Sequence, residues 1–449
     1  MRAFLPKNKA TEGQTLISLL IALVIFGILA SAIFSLTASS FQFVSFSRAR
    51  IAARHLAQEK IELIRNLPYD DVGTIAGVPG GNLAQTENIV RNGLNYEIKT
   101  SIVYIDDPFD GIAPTDLLPT DYKRVRIDVS WKGLTGSRAD PLVLVTDIAP
   151  KGIETTAGGG TLSILVFDAN ASPVAQADVH IEATEVDPDV ILDLQTSDTG
   201  YVVLPGTPVC TSCYDITVTK SGYSTDRTYT TSEVANPNKP PASVIEGELT
   251  EISFAIDKLS TLNVASVSDR DSGFNPLPNI TFQLRGAKTT GIDSDDFPVY
   301  KFDKQFATDG SGNLIITDIE WGNYTIIMPS GSGYDIAGTN PLIPLQLLPD
   351  TSVNWTFSLA TTTTHRLLVT FTDPGQAPVA SVSATLSFGA YEETKLSGAD
   401  TDPDFGQVFF VSLQDKNHDL EATASGYQDV DTKVKVDGYT EEDIVLQPE

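Results

Sequence analysis

A long apolar run near the N-terminus is the strongest pattern in this chain. No charged residue occurs from Gln14 to Ser47, and most side chains up to Phe46 are apolar. Because about 20 apolar residues suffice to cross the hydrocarbon core of a bilayer, the run predicts a membrane-spanning helix.

The apolar run leads into an amphipathic pattern. Apolar side chains recur at spacings of three and four, with charged and polar side chains between them, as one face of a helix requires. These positions are Ala52, Ala53, Leu56, Ala57, Ile61, Leu63, Ile64 and Leu67. Neither glycine nor proline occurs between Gly27 and Pro68. The pattern therefore predicts one helix over 14–68, about 80 Å long at 1.5 Å per residue, which Pro68 ends.

The residues that open the run resemble a type IV prepilin. Those that match are Gly13, Thr15, Leu16 and Ile17. An ordinary secretory signal has its small cleavage-site residues after the apolar segment, whereas Gly13 lies before it. The resemblance implies a prepilin peptidase that cuts between Gly13 and Gln14, and methylation of the new Gln14 amine. It departs from the family at Ser18, since the fifth mature residue of pilins is acidic. The stretch from Ala49 to Tyr69 also resembles minor pilins.

A plain single-pass anchor is the competing interpretation of the same run. It gives no reason for the amphipathic extension, whereas a pilin's long first helix has this form. Cytoplasmic flanks of membrane helices are enriched in lysine and arginine. This rule hardly distinguishes the two orientations of the helix here, because basic residues flank the run on both sides. They are Arg2, Lys7 and Lys9 before it, and Arg48, Arg50 and Arg54 after it. The large acidic, β-rich remainder favours a single-pass protein with an exported C-terminus. The resemblance to prepilins then implies that the protein lies in the inner membrane before assembly and reaches the cell surface in a pilus.

Residues 69–150 read as a small β head. Apolar and polar side chains alternate over 96–104 and 125–131, and an apolar segment follows at 142–145, as on half-buried strands. We expect an antiparallel sheet whose apolar face covers the helix stripe from Leu56 to Leu67, which is a pilin-like head.

One loop of the head carries three carboxylates that could bind Ca²⁺. Asp106, Asp107 and Asp110 supply the oxygen ligands that this cation prefers. Asp-Asp-Pro and Asp-Gly are also ordinary turn sequences, and a turn is the favoured interpretation.

An internal repeat begins after a Thr/Gly-rich linker at 151–160, a composition typical of flexible linkers. Each unit has an alternating strand with a proline turn, a glycine before an apolar strand, and a Gly-Tyr pair. The prolines are Pro173, Pro276 and Pro378, and the glycines are Gly200, Gly312 and Gly406. The Gly-Tyr pairs at 222–223, 333–334 and 426–427 are 111 and 93 residues apart. This spacing is that of β-sandwich domains of about 100 residues.

The repeats resemble carboxypeptidase regulatory-like modules and related prealbumin-like or Ig-like surface modules. That resemblance implies a stalk or a protein- or sugar-binding module, with no catalytic residue to carry over. The predicted fold is therefore multidomain and mainly β. Its predicted parts are a leader at 1–13, the helix at 14–68, the head at 69–150, the linker at 151–160, and β-sandwiches at 161–258, 259–360 and 361–449, which form a rod.

Composition limits the partners of the exported part. The 449 residues include 58 acidic and 30 basic ones, for a net charge of −28, yet residues 1–68 hold eight basic and three acidic side chains. A surface this acidic repels phosphate backbones, so nucleic-acid binding is not expected.

No catalytic constellation is evident in the sequence. The four histidines, His55, His180, His365 and His418, lie in four predicted regions. Two acidic loops, at 293–296 and 400–404, resemble weak cation sites. In the second, Val411 stands where an EF-hand requires glutamate at its twelfth position. We expect neither an enzyme nor a cofactor.

The two cysteines form the sequence Cys210-Thr211-Ser212-Cys213. Zinc would require about two more ligands, and a thioredoxin-like centre needs a helix where this sequence predicts a turn and a strand. Outside the cytoplasm a short disulfide is favoured.

Two functions remain open from the sequence. The favoured one is a minor pilin-like subunit that assembles with other pilins and presents three β modules for adhesion or for another surface ligand. The alternative is a pseudopilin or a non-filamentous, membrane-anchored secretion component. In pilins the acidic fifth residue offsets the charge of a neighbour's N-terminal amine in an apolar core. Ser18 lacks that charge, which favours a subunit at the filament tip or one that is only sparsely inserted along the filament.

Overall fold

A computed structural model describes residues 12–105, 121–132, 141–150 and 159–449, with side chains from residue 19 onward. A single helix, α1 (Glu12–Arg65), runs for 54 residues. It confirms the predicted long helix and ends two residues before Leu67. The Leu67 amide donates to the Ile64 carbonyl oxygen at 3.1 Å, three residues back instead of the four of an α-helix. The helix ends here because the residue before a proline avoids the helical conformation.

The chain divides into two compact units. The first contains α1, the short helix η1 (Tyr69–Asp71) and a four-stranded antiparallel sheet, with the segments Asp187–Val190 and Leu204–Thr207. The strands of this sheet lie in chain order and are β1 (Thr86–Arg91), β2 (Leu94–Ile105), β3 (Tyr122–Trp131) and β4 (Leu142–Ile148). Strand β1 is an addition to the three predicted strands.

The apolar stripe of α1 packs on one face of this sheet, as predicted. The buried helix residues are Ala49, Ala52, Ala53, Leu56, Ala57, Ile61 and Ile64, and the sheet residues beneath them are Tyr96, Ile98, Ile102, Val125, Ile127, Val129 and Trp131. The contact starts at Ala49, earlier than the predicted Leu56. The prediction was wrong for Leu63, which is 50% exposed, because it lies about 100° around the helix from Ile64.

These neighbouring residues provide a matched test of the packing. Ile64→Ala is expected to destabilise the head by about 2–5 kcal/mol, because it removes a side chain that is 0% exposed and leaves a cavity. Leu63→Ala removes a similar side chain from solvent and is expected to change stability by less than about 0.5 kcal/mol. Urea unfolding followed by Trp131 fluorescence, with Trp321 and Trp355 replaced by phenylalanine, measures both. Equal effects would refute this helix orientation.

The second unit holds most of the three β repeats, called modules 1, 2 and 3 from here on. The strands of module 1 are β5 (Gly160–Phe167), β6 (Asp178–Ala183), β7 (Val190–Gln195), β8 (Tyr201–Thr207), β9 (Cys210–Thr219), β10 (Asp226–Arg227), β11 (Asn236–Pro237), β12 (Ala242–Val244) and β13 (Leu249–Ala255). They form the sheets β13-β5-β8 and β10-β9-β6-β7, with β12 paired to β9.

Module 2 contains ten strands and a short helix, η2 (Arg270–Ser272). The strands are β14 (Ser260–Ser268), β15 (Thr281–Gly286), β16 (Thr289–Ile292), β17 (Pro298–Tyr300), β18 (Asp303–Ala307), β19 (Asn313–Ile319), β20 (Gly322–Ile327), β21 (Tyr334–Asn340), β22 (Leu345–Leu347) and β23 (Ser352–Thr361). Its main sheets are β19-β14-β23-β21 and β18-β15-β20-β22, and a third sheet, β11-β16-β17, includes β11 of module 1.

Module 3 has the simplest version of the same plan. Its strands are β24 (Arg366–Thr372), β25 (Ser383–Phe388), β26 (Tyr391–Leu396), β27 (Gln407–Phe410), β28 (Asn417–Thr423), β29 (Val430–Lys435) and β30 (Tyr439–Val445). They form the sheets β27-β24-β30 and β26-β25-β28-β29. The chain is thus mainly β with one long helix, as predicted, and its modules are β-sandwich-like.

The repeat motifs occupy equivalent places in the three modules. Each proline named above bridges the end of its module's first strand, at Phe167, Val267 and Thr372. Gly200, Gly312 and Gly406 have φ of 78°, 78° and 69°, a region that favours glycine. A Cβ on Gly406 would lie 2.6 Å from the Cβ of Pro378. The glycine thus packs against the repeat proline in modules 1 and 3, whereas Gly312 of module 2 packs against Ser266 and Leu277.

Candidate assembly site

The N-terminal half of α1 exposes almost all of its apolar side chains. Between 44% and 78% of each large side chain is accessible in this segment. These residues are Leu19, Leu20, Ile21, Leu23, Val24, Ile25, Phe26, Ile28, Leu29, Ile33, Phe34, Leu36, Phe41, Phe43, Val44 and Phe46. With a mean hydropathy of 2.8 in its most apolar window, the helix is long and apolar enough to cross a bilayer. Such a surface requires lipid or another apolar helix around it.

Hydroxyl groups within this segment bond to the helix itself. Ser31, Thr37 and Ser40 each donate to a carbonyl oxygen three or four residues earlier, at 2.8 Å. Since an unpaired polar group is expensive in hydrocarbon, these bonds make the segment compatible with an apolar surrounding.

The predicted processing residues Gly13, Gln14 and Ser18 lie on α1, in the part whose side chains are outside the description. Cleavage after Gly13, methylation of Gln14 and the role of Ser18 stay predictions. The weak Ca²⁺ candidates Asp106 and Asp107, together with Asp110, also lie outside the described residues.

Polar contacts fix the C-terminal half of α1 on the head. The Tyr96 hydroxyl donates to the Ala49 carbonyl oxygen at 3.3 Å. Lys60 pairs with Glu87 of β1, and Arg91 at the end of β1 pairs with Glu59 at 3.2 Å. The helix is therefore joined to the sheet by its apolar stripe and by ion pairs to one edge strand.

A buried lysine supports the turn that follows the helix. Lys123 of β3 is 2% exposed and donates to the carbonyl oxygens of Tyr69 and Val72, both at 2.8 Å. Burial lowers the pKa of Lys123 to about 8, against the opposing effect of Asp70 and Asp71. Burial also raises the pKa of Tyr69 to about 12.

The lowered pKa of Lys123 predicts a pH-dependent stability of the head. Between pH 8 and 10 the unfolded chain binds more protons at this lysine than the folded chain does, so its contribution to stability rises with pH. The free energy of unfolding rises by about 2 kcal/mol from pH 8 to pH 10 through this group. The same amount is lost as the pH falls from 10 to 8. Above pH 10 Tyr69 lowers the stability of the head, because its raised pKa lets the unfolded chain lose this proton before the folded chain does. In urea unfolding read by Trp131, Lys123→Met is expected to flatten the rise. An unchanged slope in the variant would show that another group causes it.

The acidic loop at 400–404 contacts an arginine of module 2. The Arg270 guanidinium donates to Asp404 at 2.5 and 2.8 Å and to Asp402 at 2.8 Å. Burial raises the pKa of Asp404 against the effect of Arg270, while Arg270 lowers the pKa of Asp402. These carboxylates serve a contact between modules.

Further contacts join modules 2 and 3 around this arginine. Gln407 accepts a hydrogen bond from the Thr339 amide at 2.7 Å, and Arg366 pairs with Asp335 at 2.6 Å. An apolar cluster lies beside them, formed by Ala337, Ala360, Leu368 and Phe409. The two modules therefore share a mixed polar and apolar interface.

The other candidate polar groups have structural partners. Asp293 accepts hydrogen bonds from the amides of Asp295 and Phe297, both at 2.9 Å, as in a turn. Within the described residues, no group of three or more acidic, histidine or cysteine side chains is arranged to hold a metal ion. The acidic loop at 293–296 is thus a turn.

The four histidines lie in separate environments. His55 is exposed on α1, and His180 lies 2.8 Å from Asp193 on the surface of module 1. His365 accepts a hydrogen bond from the Gly438 amide at 3.1 Å. His418 is 1% exposed and packs against Phe388 and Tyr391. The structure brings none of them together.

The cysteines lie at the start of β9 and are joined to each other. The structure pairs Cys210 with Cys213 in a disulfide, with Cα atoms 6.0 Å apart. Residue Ser212 between them has a φ of 52°, and its amide donates to the Ser243 hydroxyl of β12 at 2.8 Å. The disulfide thus tightens a bend where β12 meets β9.

Two kinds of comparison with known proteins give matches. Residues 8–34 match the family described as the prokaryotic N-terminal methylation motif. No curated protein sequence matches the chain. Similar solved structures include the Bacillus anthracis TIE protein, at 14% identity over 81% of this chain and 73% of that one, with a TM-score of 0.19.

Two pilin structures are also among the matches. A streptococcal ancillary pilin is 11% identical over 65% of this chain and 99% of its own, with a TM-score of 0.18. The shaft pilin SpaA of Lactobacillus rhamnosus GG is 12% identical over 43% of this chain and 98% of its own, also with a TM-score of 0.18. TM-scores this low do not establish a shared overall arrangement, so the methylation motif is the informative match.

Proposed function

We propose that this chain is a minor pilin-type subunit that carries three β modules at or near the tip of a type IV filament. The observation that carries the proposal is the division of α1. Its N-terminal half exposes a continuous apolar surface, while its C-terminal half packs on the head sheet through Ala53, Leu56 and Ile64. Only the first half is free to enter a membrane or pack against other apolar helices.

The methylation motif at residues 8–34 supports the same proposal. A prepilin peptidase that cut after Gly13 would leave the apolar half of α1 as the mature N-terminus. The subunit would then wait in the inner membrane, through that half of the helix, until other pilin subunits draw it into the filament.

Ser18 and the size of the modules support a terminal or sparse position. A serine cannot offset a neighbouring N-terminal amine in an apolar core, so a subunit with Ser18 is disfavoured in the shaft. About 290 residues of β modules are also easier to accommodate at an end than in a closely packed shaft. In this role the modules bind a surface ligand or a partner protein and catalyse no reaction.

Immunogold electron microscopy with an antibody against module 3 tests this proposal. We expect gold particles at filament ends or at rare sites along the filament. Uniform labelling of the shaft would contradict the tip position. Labelling of the cell envelope without filaments would instead support an anchored pseudopilin or secretion component.

A further inference from the structure

A groove lies between α1 and the edge strand β4 of the head, with a volume of about 390 Å³. The residues that line it are Ser47, Arg50, Ile51, Arg54, Leu142 and Leu144. The four helix residues are spaced three and four apart, so they form one stripe beside the buried face of α1. The helix wall is thus basic and hydroxylated apart from Ile51, and the β4 wall is apolar.

The arginines in this region have no carboxylate partners within the described residues. Other arginines of the head are paired: Arg65 with Glu62, Arg91 with Glu59, and Arg124 with Asp147. By contrast, Arg50 and Arg54 are exposed and form no ion pair in the part of the chain that the structure describes. In a chain with a net charge of −28, two unpaired guanidinium groups on one groove favour an anionic ligand.

The position of the groove along α1 identifies the source of that anion. The charge-free run from Gln14 to Ser47 is about 50 Å long as a helix, enough to pass through both headgroup layers of a bilayer 40–45 Å thick. Arg50 lies about 6 Å along the helix from Phe46, the last exposed apolar residue of the run. The run exceeds the bilayer thickness by about 5–10 Å, a distance that the long side chains of Arg50 and Arg54 can span to reach the lipid headgroups.

We propose that the groove binds the headgroup phosphate of an anionic phospholipid on the side of the bilayer where the head lies. Arg50 and Arg54 donate hydrogen bonds to the phosphate oxygens. Ile51, Leu142 and Leu144 contact the glycerol and the upper part of an acyl chain, which a free phosphate ion lacks. This inference rests on the membrane position of α1 and is independent of filament assembly.

Bound lipid also gives a reason for the position of these arginines. Basic residues are usually enriched on the cytoplasmic side of a membrane helix, yet here they follow the run that precedes the large acidic part. Bound to these arginines, anionic headgroups would hold the head close to the membrane, against the repulsion between the lipid surface and the acidic remainder of the chain.

Photocrosslinking of the full-length protein in vesicles tests the proposal. The protein is reconstituted into phosphatidylcholine vesicles that contain a trace of photoactivatable phosphatidylglycerol or, separately, photoactivatable phosphatidylcholine. We expect preferential crosslinking of phosphatidylglycerol to peptides that cover 47–54 and 142–144. Equal crosslinking of the two lipids would overturn the proposal. So would displacement of phosphatidylglycerol by inorganic phosphate, because that result would identify a site for the free ion.

Four single variants separate binding in the groove from general charge attraction. Arg50→Gln and Arg54→Gln are each expected to lower phosphatidylglycerol crosslinking about tenfold, because each variant loses its charge-assisted hydrogen bonds to the phosphate. Arg48→Gln removes the same charge outside the groove and should leave crosslinking unchanged. Arg50→Lys keeps the charge and should retain most of the phosphatidylglycerol crosslinking. Equal losses in the Arg48 and Arg50 variants would show that no specific groove site exists.

Discussion

Ser18→Glu is expected to move this protein from its proposed position at the filament tip into the shaft. The type IV prepilin pattern has an acidic residue at this position, where it offsets the N-terminal amine of a neighbouring subunit. A buried charge that gains its partner is stabilised by about 3 kcal/mol. That energy corresponds to roughly a hundredfold rise in incorporation along the shaft at equilibrium.

The matched control is Ser18→Gln, which has the size of glutamate without its charge. Gold particles per unit length of filament, counted for the wild type and both variants, measure the effect. We expect dense shaft labelling for the glutamate variant alone. Equal labelling for glutamate and glutamine would show that the charge at residue 18 does not determine the position of the subunit.

Arg270→Gln is expected to loosen the contact between modules 2 and 3. The Asp404 side chain is 7% exposed and Arg270 is 40% exposed, so the variant leaves a largely buried carboxylate without its partner. We expect a loss of about 2 kcal/mol, at the low end of the range for such pairs because Arg270 is partly in solvent. Hydrogen exchange of the β21 and β27 amides should accelerate about thirtyfold.

Two further variants make the Arg270 test specific. Adding Asp404→Asn to Arg270→Gln removes the unpaired charge and should restore most of the protection. Arg285→Gln breaks the Arg285–Asp303 pair within module 2 and should leave the β21 and β27 amides unchanged. Equal exchange in the Arg270 and Arg285 variants would contradict the account of the interface.

Local patterns predicted most of the fold because the responsible interactions are local. An uninterrupted helix over α1 follows from the absence of glycine and proline between Gly27 and Pro68. The sequence did not specify which side of α1 faces the sheet, since Leu63 and Ile64 are both apolar and only one of them can be buried there. Strand β1 had a recognisable signal in Asn92-Gly93, both with positive φ, a pair typical of tight hairpins.

Interactions between distant residues were not predictable from these patterns. The final strand of each module lies parallel to the first, as in the β13–β5 pair, and no periodicity specifies that choice. Arg270 and Asp404 are 134 residues apart, so the acidic loop could only be interpreted by its own carboxylates. The groove beside Arg50 and Arg54 likewise requires β4, although their helical spacing places both arginines on one face.

The N-terminus of the mature protein is the most direct test of the central claim, that this chain is processed and assembled as a pilin-type subunit. Intact mass and N-terminal sequencing of protein purified from the envelope or from filaments identify the first residue and its modification. The account predicts a chain that begins at Gln14 with a methylated amine. A chain that still begins at Met1 would contradict it and would indicate a plain membrane anchor.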